Sequence, residues 1–208
     1  MQDTTPKLYY VYDPMCAWCW GYRPTYLALT ESLKERGITL TKLLGGLAPD
    51  SDIPMPLDMR EAIESYWYKI SDLLGTEFNH AFWQQNTPHR STYPACRAGL
   101  IARDQGKEEQ MNLKIQEAYY LNAMNPSDTS VLCQLAEDIG FEKEQFETDL
   151  HSDITRKRLH DEIRFARSIG GNSFPSWILV KDQQAMQLPL DYQDHRAALT
   201  IIEDAFAS

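Results

Sequence analysis

Residues 7–21 read Lys7-Leu8-Tyr9-Tyr10-Val11-Tyr12-Asp13-Pro14-Met15-Cys16-Ala17-Trp18-Cys19-Trp20-Gly21. The first six are rich in aromatic and β-branched residues, as a strand requires, and Asp13-Pro14 closes them as a turn. From about Cys16 to Arg36 apolar residues recur at helical spacing, at Tyr22, Tyr26, Leu29 and Leu33, and Gly37 stops the run. Two thiols three residues apart therefore stand where a strand hands over to a helix. At a helix start the backbone N–H groups are unpaired and the dipole favours negative charge. That placement is expected to lower the Cys16 pKa and make it a thiolate near neutral pH. Cys19 is placed to attack a mixed disulfide formed by Cys16. Half of a zinc site is one alternative, but a structural zinc site needs four ligands. Cys96 and Cys133 are isolated, and no second Cys-x-x-Cys or His-x-x-x-His pair exists. Two merely buried thiols are the other alternative, since free cysteine is often buried.

Residues 38–44 alternate and read as a second strand, ended by Gly45-Gly46. A β-α-β start suggests a parallel pair with a crossover helix. Pro49, Pro54 and Pro56 then punctuate a loop, and from about 57 to 169 the signals are almost wholly helical. Helices are expected at Met59–Leu74, from an N-cap at Thr76 through Gln85, at Ala95–Gln105, Lys107–Met124, Val131–Ile139 and Glu142–Leu150, and from Ser152-Asp153 to Gly170. Strand character returns at Trp177–Val180, with Asp182-Gln183 as a turn to a strand near Ala185–Leu188. A last amphipathic helix runs from about Gln193 to Phe206. The expected organisation is one α/β domain formed by residues 1–56 and 170–208, with a helical insertion at 57–169. The two halves must meet in space to complete the sheet.

A Cys-x-x-Cys after a strand in this context reads as a thioredoxin-like redox motif. The segment Asp13–Gly21 resembles the active-site segment of the DsbA-like thioredoxin-fold oxidoreductases. It is most similar to their cytoplasmic FrnE-like branch of predicted protein-disulfide isomerases. Pro24, eight residues after Cys16, has a spacing that thioredoxin-fold proteins share; a simple helix kink is the alternative. Gly170-Gly171-Asn172-Ser173-Phe174-Pro175-Ser176-Trp177 resembles the family's loop that carries a cis-proline before a strand. The resemblance implies a cis Phe174–Pro175 bond and a backbone at Phe174 that pairs with an extended substrate by strand addition. Tyr93-Pro94-Ala95-Cys96-Arg97-Ala98 is similar to the start of a helix in the family's insertion, where relatives often carry His in place of Cys96. The three matches together imply a thioredoxin fold, a central mixed sheet flanked by helices, with an all-helical insertion. They imply a thiol–disulfide oxidoreductase or isomerase with Cys16 and Cys19 as catalytic residues and Trp18, Phe174 and Pro175 at the substrate.

The chain also departs from that pattern. Thioredoxin-like proteins often carry a buried acid six residues before the first cysteine; here the position is Tyr10, and no proton acceptor for Cys19 is identifiable. Asp13 is read as a turn or capping residue, or as a charge that raises the thiolate pKa. Cys96 is read as a bystander, or as a second reactive thiol; Asp13, Trp20 and Cys96 are thus candidate modulators. Cys133, among Val131, Leu132, Leu135 and Ala136, is read as core. Trp18 is expected to be an exposed aromatic. The five histidines show no metal spacing. Arg156, Lys157, Arg158, Arg164 and Arg167 read as a solvated helix face, with a contact to an anion or a glutathione carboxylate as the alternative.

Length and charge bound the rest. At 208 residues the chain buries a real core. Its net charge of −10 repels a phosphate backbone and makes nucleic acid an unsuitable partner. Four cysteines are too few for a disulfide-stapled scaffold. The start lacks the basic and apolar regions of a signal peptide, and no apolar run approaches the roughly 18 residues of a membrane span. These features point to a cytoplasmic protein acting on protein or small-molecule thiols and disulfides, with no membrane and no metal. No organic cofactor is expected beyond the Cys16–Cys19 disulfide, with glutathione as co-substrate or a thioredoxin-type reductant as partner. A glutathione-dependent transferase or isomerase of the kappa-class or hydroxychromene-carboxylate isomerase type is the alternative, and a non-enzymatic peptide-binding adaptor is a third.

Overall fold

The computed structural model describes residues 5–207. Strand β1 (Lys7–Tyr12), helix α1 (Ala17–Glu35) and strand β2 (Leu40–Leu44) form the opening unit. β2 lies parallel to β1, with Leu8 opposite Leu40 and Tyr12 opposite Leu44; parallel neighbours need a crossover such as α1. Seven helices follow among the described residues: α2 (Leu57–Leu74), α3 (Phe82–Gln85), α4 (Tyr93–Arg103), α5 (Glu108–Tyr120), α6 (Thr129–Asp138), α7 (Lys143–His151) and α8 (Asp153–Ser168). Strands β3 (Ser176–Lys181) and β4 (Gln184–Gln187) and helix α9 (Arg196–Ala207) complete the described chain. β3 pairs antiparallel with β1, Tyr9 facing Ile178 and Val11 facing Ser176. The sheet order is β2-β1-β3-β4. Strands from the two ends of the sequence are therefore neighbours in one mixed sheet, which gives the α/β fold expected from the sequence. Asp182 and Gln183 join β3 to β4 with positive φ at both, 51° and 63°, the backbone that a tight hairpin between twisted strands requires.

Strand alternation divides the tyrosines of β1. Tyr10 and Tyr12 are buried on one face, where Tyr10 packs on Tyr26 and Trp177 with ring centroids 4.6 and 4.8 Å apart. Val11 faces the other way, against Leu43, Ile178 and Ala166 of α8. Helices α4 and α8 share the core of the first face through Cys96, Leu100, Leu159 and Ile163. A second core, almost wholly helical, surrounds Trp67, Phe82, Tyr119 and Tyr120, and Met15 reaches it from the β1–α1 loop.

Three expected helices differ. α5 ends at Tyr120 rather than Met124, and Ala123 beyond it takes a positive φ of 53° that leaves the helix. Residues 76–79 are not helical, and only Phe82–Gln85 forms the short α3. The backbone there bonds to other elements. Trp20 Nε1 donates to the Glu77 carbonyl at 3.1 Å, and Asn79 N donates to the Tyr120 carbonyl at 2.6 Å. Groups committed to α1 and α5 cannot also close intrahelical bonds. The last helix begins at Arg196 rather than Gln193 because Asp191 Oδ1 accepts from the N–H of Gln193 and of Asp194. Those bonds make a local turn that competes with helix. Helix α8 starts as read, with the Ser152 hydroxyl accepting from Thr155 N at 3.1 Å.

Candidate active site

Cys16 is the N-cap of α1, in extended conformation at φ −84° and ψ 114°, with no side chain capping the helix and no acid in its first turn. The unpaired N–H groups of that turn thus face no carboxylate supplied by the helix itself. Both cysteines are free thiols and nearly inaccessible, 6% exposed at Cys16 and 3% at Cys19. The pairing of β1 with β3 brings the loop before β3 onto this helix start. Cys16 Sγ donates to the Phe174 carbonyl oxygen at 3.5 Å, and the Phe174–Pro175 bond is cis. Gly45, just past β2, leaves room for the Phe174 ring, which a Cβ at that position would overlap.

The two thiols meet different surroundings. Cys16 lines a cavity of about 390 Å³ together with Trp18, Ile63, Tyr66, Arg90 and Phe174. Cys19 points inward. Burial, reinforced by the hydrogen bond and the charge of Cys16, pushes its thiol well above the ordinary range. Below it lies the aromatic layer of Tyr10, Tyr22 and Tyr26. A space of about 10 Å³ joins Cys19 to Arg23, Lys42, Glu109 and Asn112. Burial pushes Glu109 up, but the Lys42 ammonium and the Arg23 guanidinium together hold it below the usual carboxylate range. A carboxylate therefore reaches the neighbourhood of Cys19 from α5, whereas β1 presents Tyr10 at the position where the resemblance implies an acid.

Asp13 is fully buried and accepts four hydrogen bonds: from Met15 N at 2.8 Å, Leu47 N at 2.7 Å, Thr92 Oγ1 at 2.6 Å and Cys96 Sγ at 3.4 Å. Burial raises its carboxyl pKa, and these donors pull it partly back. It is a turn residue that also clamps three segments together beneath the dithiol. Cys96 is fully buried, and burial followed by the Asp13 charge pushes its thiol well above the ordinary range. Cys133 is 1% exposed in the helical core. Trp18 departs from its expected exposure: it is half-buried, edge-on to Tyr192 at 5.2 Å, with the Lys69 ammonium 5.9 Å from its ring. Trp20 turns away from the Cys16 cavity and stacks on Tyr120 at 5.8 Å. Pro175 is buried at the entry to β3. None of Arg156, Lys157, Arg158, Arg164 and Arg167 lines the Cys16 cavity; Arg158 pairs with Asp104 and Lys157 with Asp161 on the surface of α8.

Ile63, Tyr66 and Arg90, all at the Cys16 cavity, were not legible in the sequence, because no local pattern links a helix face at 63–66 or a loop at 90 to a thiol at 16. Among the described residues no group of three His, Cys, Asp or Glu is placed to hold a metal ion. No described helix is long and apolar enough to cross a membrane.

A family model described as thioredoxin matches residues 9–196. The chain belongs to the thioredoxin family. Among solved structures it is similar to a candidate protein disulfide isomerase from Nitrosomonas europaea, 22% identical, with a TM-score of 0.79 and 98% of each chain covered. It is also similar to the cytosolic disulfide reductase DsbM from Pseudomonas aeruginosa, 24% identical, with a TM-score of 0.72 and coverage of 97% and 95%. At these identities the likeness shows the DsbA-like fold. Among curated proteins it is 26% identical over 193 residues to the ClpXP adapter protein SpxH of Bacillus subtilis, covering 89% of this chain. The chain spans 63% of that relative's length.

Proposed function

We propose that the protein is a thiol–disulfide oxidoreductase with Cys16 as nucleophile and Cys19 as resolving thiol. The observation that carries this reading is the asymmetry of the pair. Cys16 sits at an uncapped helix start, on the wall of a cavity and against the Phe174 carbonyl, while Cys19 is sealed behind it. In the reducing direction the Cys16 thiolate attacks a substrate disulfide, bonds to one sulfur and expels the other as a thiolate. Cys19 then loses its proton and attacks the Cys16 sulfur. The second substrate thiol leaves, and the Cys16–Cys19 disulfide remains, two electrons having passed to the substrate. A substrate thiol attacking that disulfide runs the steps backward. The reduced pair is restored by a thiol reductant, glutathione or a thioredoxin-type protein, and no organic cofactor or metal enters. Trp18, Phe174 and Pro175 form the substrate-facing rim. The solved structure of DsbM with GSH supports a glutathione partner, and the cytosolic description of DsbM supports a cytoplasmic setting. The test is reduction of a small disulfide by wild type and Cys16→Ser. Activity lost in the variant supports the reading, and equal rates would overturn it.

A second reading, a peptide-binding adaptor, draws on the name of the SpxH relatives and on the exposed apolar residues Ile53, Leu57, Tyr66 and Leu73 on and beside α2. Maleimide titration separates the two. A Cys16 that reacts like an ordinary thiol, with a pKa near about 8.5, favours the adaptor. The 2-hydroxychromene-2-carboxylate isomerase shares the fold at a TM-score of 0.59 and 13% identity; retention of both cysteines weighs against that chemistry here.

A further inference from the structure

Arg90 stands in the loop before α4 and lines the cavity into which Cys16 opens. It is half-buried, and among the described residues nothing forms a hydrogen bond or an ion pair with its side chain. This sets it apart from the other arginines that are buried or partly buried. Arg23 pairs with Glu109, Arg97 with Asp50, Arg103 with Glu108 and Glu162, and Arg158 with Asp104, while Arg60 donates to the Trp83 carbonyl. A guanidinium partly withdrawn from water is often matched by a carboxylate, and here no group of the described residues supplies one.

The rest of the cavity agrees with an incoming acid. No Asp or Glu lines it. Asp13, behind the wall, has both carboxylate oxygens engaged by its four donors and is fully buried. Asn172 and Ser173 add polar groups on the side of the proline loop, and Trp18, Tyr66 and Trp67 form an apolar wall. The volume, about 390 Å³, lies in the range of small-molecule sites, roughly 300–1,000 Å³. It is too small for a folded partner. The chain as a whole carries −10 and repels anions at long range, so a local, uncompensated cation is what admits one.

We propose that the Cys16 cavity selects small disulfides that bear carboxylates, with Arg90 as the residue that determines this specificity. The proposal rests on the exchange reading above and names the substrate class of the same site. Arg90 binds the carboxylate through its forked donors and so holds one sulfur of the substrate at Cys16. In each cycle the Cys16–Cys19 dithiol reduces one disulfide to two free carboxylate-bearing thiols and becomes the Cys16–Cys19 disulfide, which a thioredoxin-type dithiol reductant returns to the dithiol.

The experiment uses two probes on wild type, Arg90→Gln and Arg90→Lys. Calorimetric binding of S-methylglutathione, which has two carboxylates and no exchangeable sulfur, reads recognition without chemistry. Turnover of oxidised glutathione against the neutral hydroxyethyl disulfide reads selectivity. Loss of a charge-assisted bond is expected to weaken S-methylglutathione binding, and kcat/KM for oxidised glutathione, by about tenfold to a hundredfold in Arg90→Gln. Hydroxyethyl disulfide should stay within about twofold, and Arg90→Lys should recover part of the loss. Unchanged binding in Arg90→Gln, absent binding in wild type, or equal losses on both disulfides would overturn the proposal. Binding that depends on Arg90 in a protein that turns over neither disulfide would uphold the carboxylate site and overturn the exchange reading.

Discussion

Cys16 and Cys19 belong to one helical turn, yet the molecule places them in opposite settings. One faces a cavity rimmed by the proline loop and α2; the other faces a layer of tyrosines and a ring of charges contributed by α1, β2 and α5. The comparison teaches that helices α2, α4 and α5 do more than enlarge the fold. α2 walls the outer side, α5 supplies the charge on the inner side, and Thr92 and Cys96, at the start of α4, bond Asp13 in the loop between β1 and α1.

The largest expected effect breaks the pair itself. Cys16→Ser should lower disulfide exchange by on the order of a thousandfold or more, because no other sulfur lines the cavity apart from the thioether of Met15. Cys19→Ala should keep the first attack and accumulate a mixed disulfide, visible as added mass by mass spectrometry. The reverse pattern, with trapping in Cys16→Ser, would invert the assignment of the two roles.

Next comes the clamp beneath them. Asp13→Asn keeps one acceptor but sets an amide N–H₂ where Oδ2 now takes donors from Leu47 and Thr92. A loss of about 1–3 kcal/mol in urea unfolding is expected. The pH dependence has a definite sign. The folded carboxyl pKa is raised by burial, so the native state holds the proton more tightly than the unfolded chain. Its contribution to stability is fully present below the unfolded pKa of about 3.9 and is lost as pH rises through the folded value. Wild type should therefore gain on Asp13→Asn as pH falls from 7 toward 4; a constant gap would show that Asp13 is not perturbed.

Smaller effects probe the outer rim. Gly45→Ala drives a methyl group into the Phe174 ring. It should lower kcat/KM for exchange by about tenfold with the far-ultraviolet circular dichroism unchanged. Trp18→Ala should raise KM for a peptide disulfide a few-fold and leave kcat alone, as expected where the ring contributes contact and not chemistry. A fall in kcat instead would place Trp18 among the residues that orient Cys16.

Much of the scaffold was readable from local pattern. Lys7–Tyr12, the helix after Cys16 and the Asp182-Gln183 turn each announce themselves within a few residues, because strand alternation, helical spacing and turn chemistry act over that range. The segment 76–81 was misread for the complementary reason: its backbone partners are Trp20 and Tyr120, distant in sequence. The site divides along the same line. Cys16, Cys19, Phe174 and Pro175 lie in recognisable motifs. Arg90, Tyr66 and Glu109 reach the dithiol only through tertiary packing, and the depth at which Asp13 is buried depends on Leu47 and Thr92 arriving from elsewhere.

The pairing of β1 with β3 has a consequence for how the protein comes into being. Val11 and Ser176 are register partners 165 residues apart, a long loop to close and an entropic cost met late. On a ribosome the first strand, the dithiol and all eight helices between β1 and β3 are made before the strand that completes the sheet. During that interval Cys16 has neither the Phe174 carbonyl nor the rim of its cavity. The nascent chain thus carries two thiols without a finished cavity around them until Phe174 and β3 have been threaded into place.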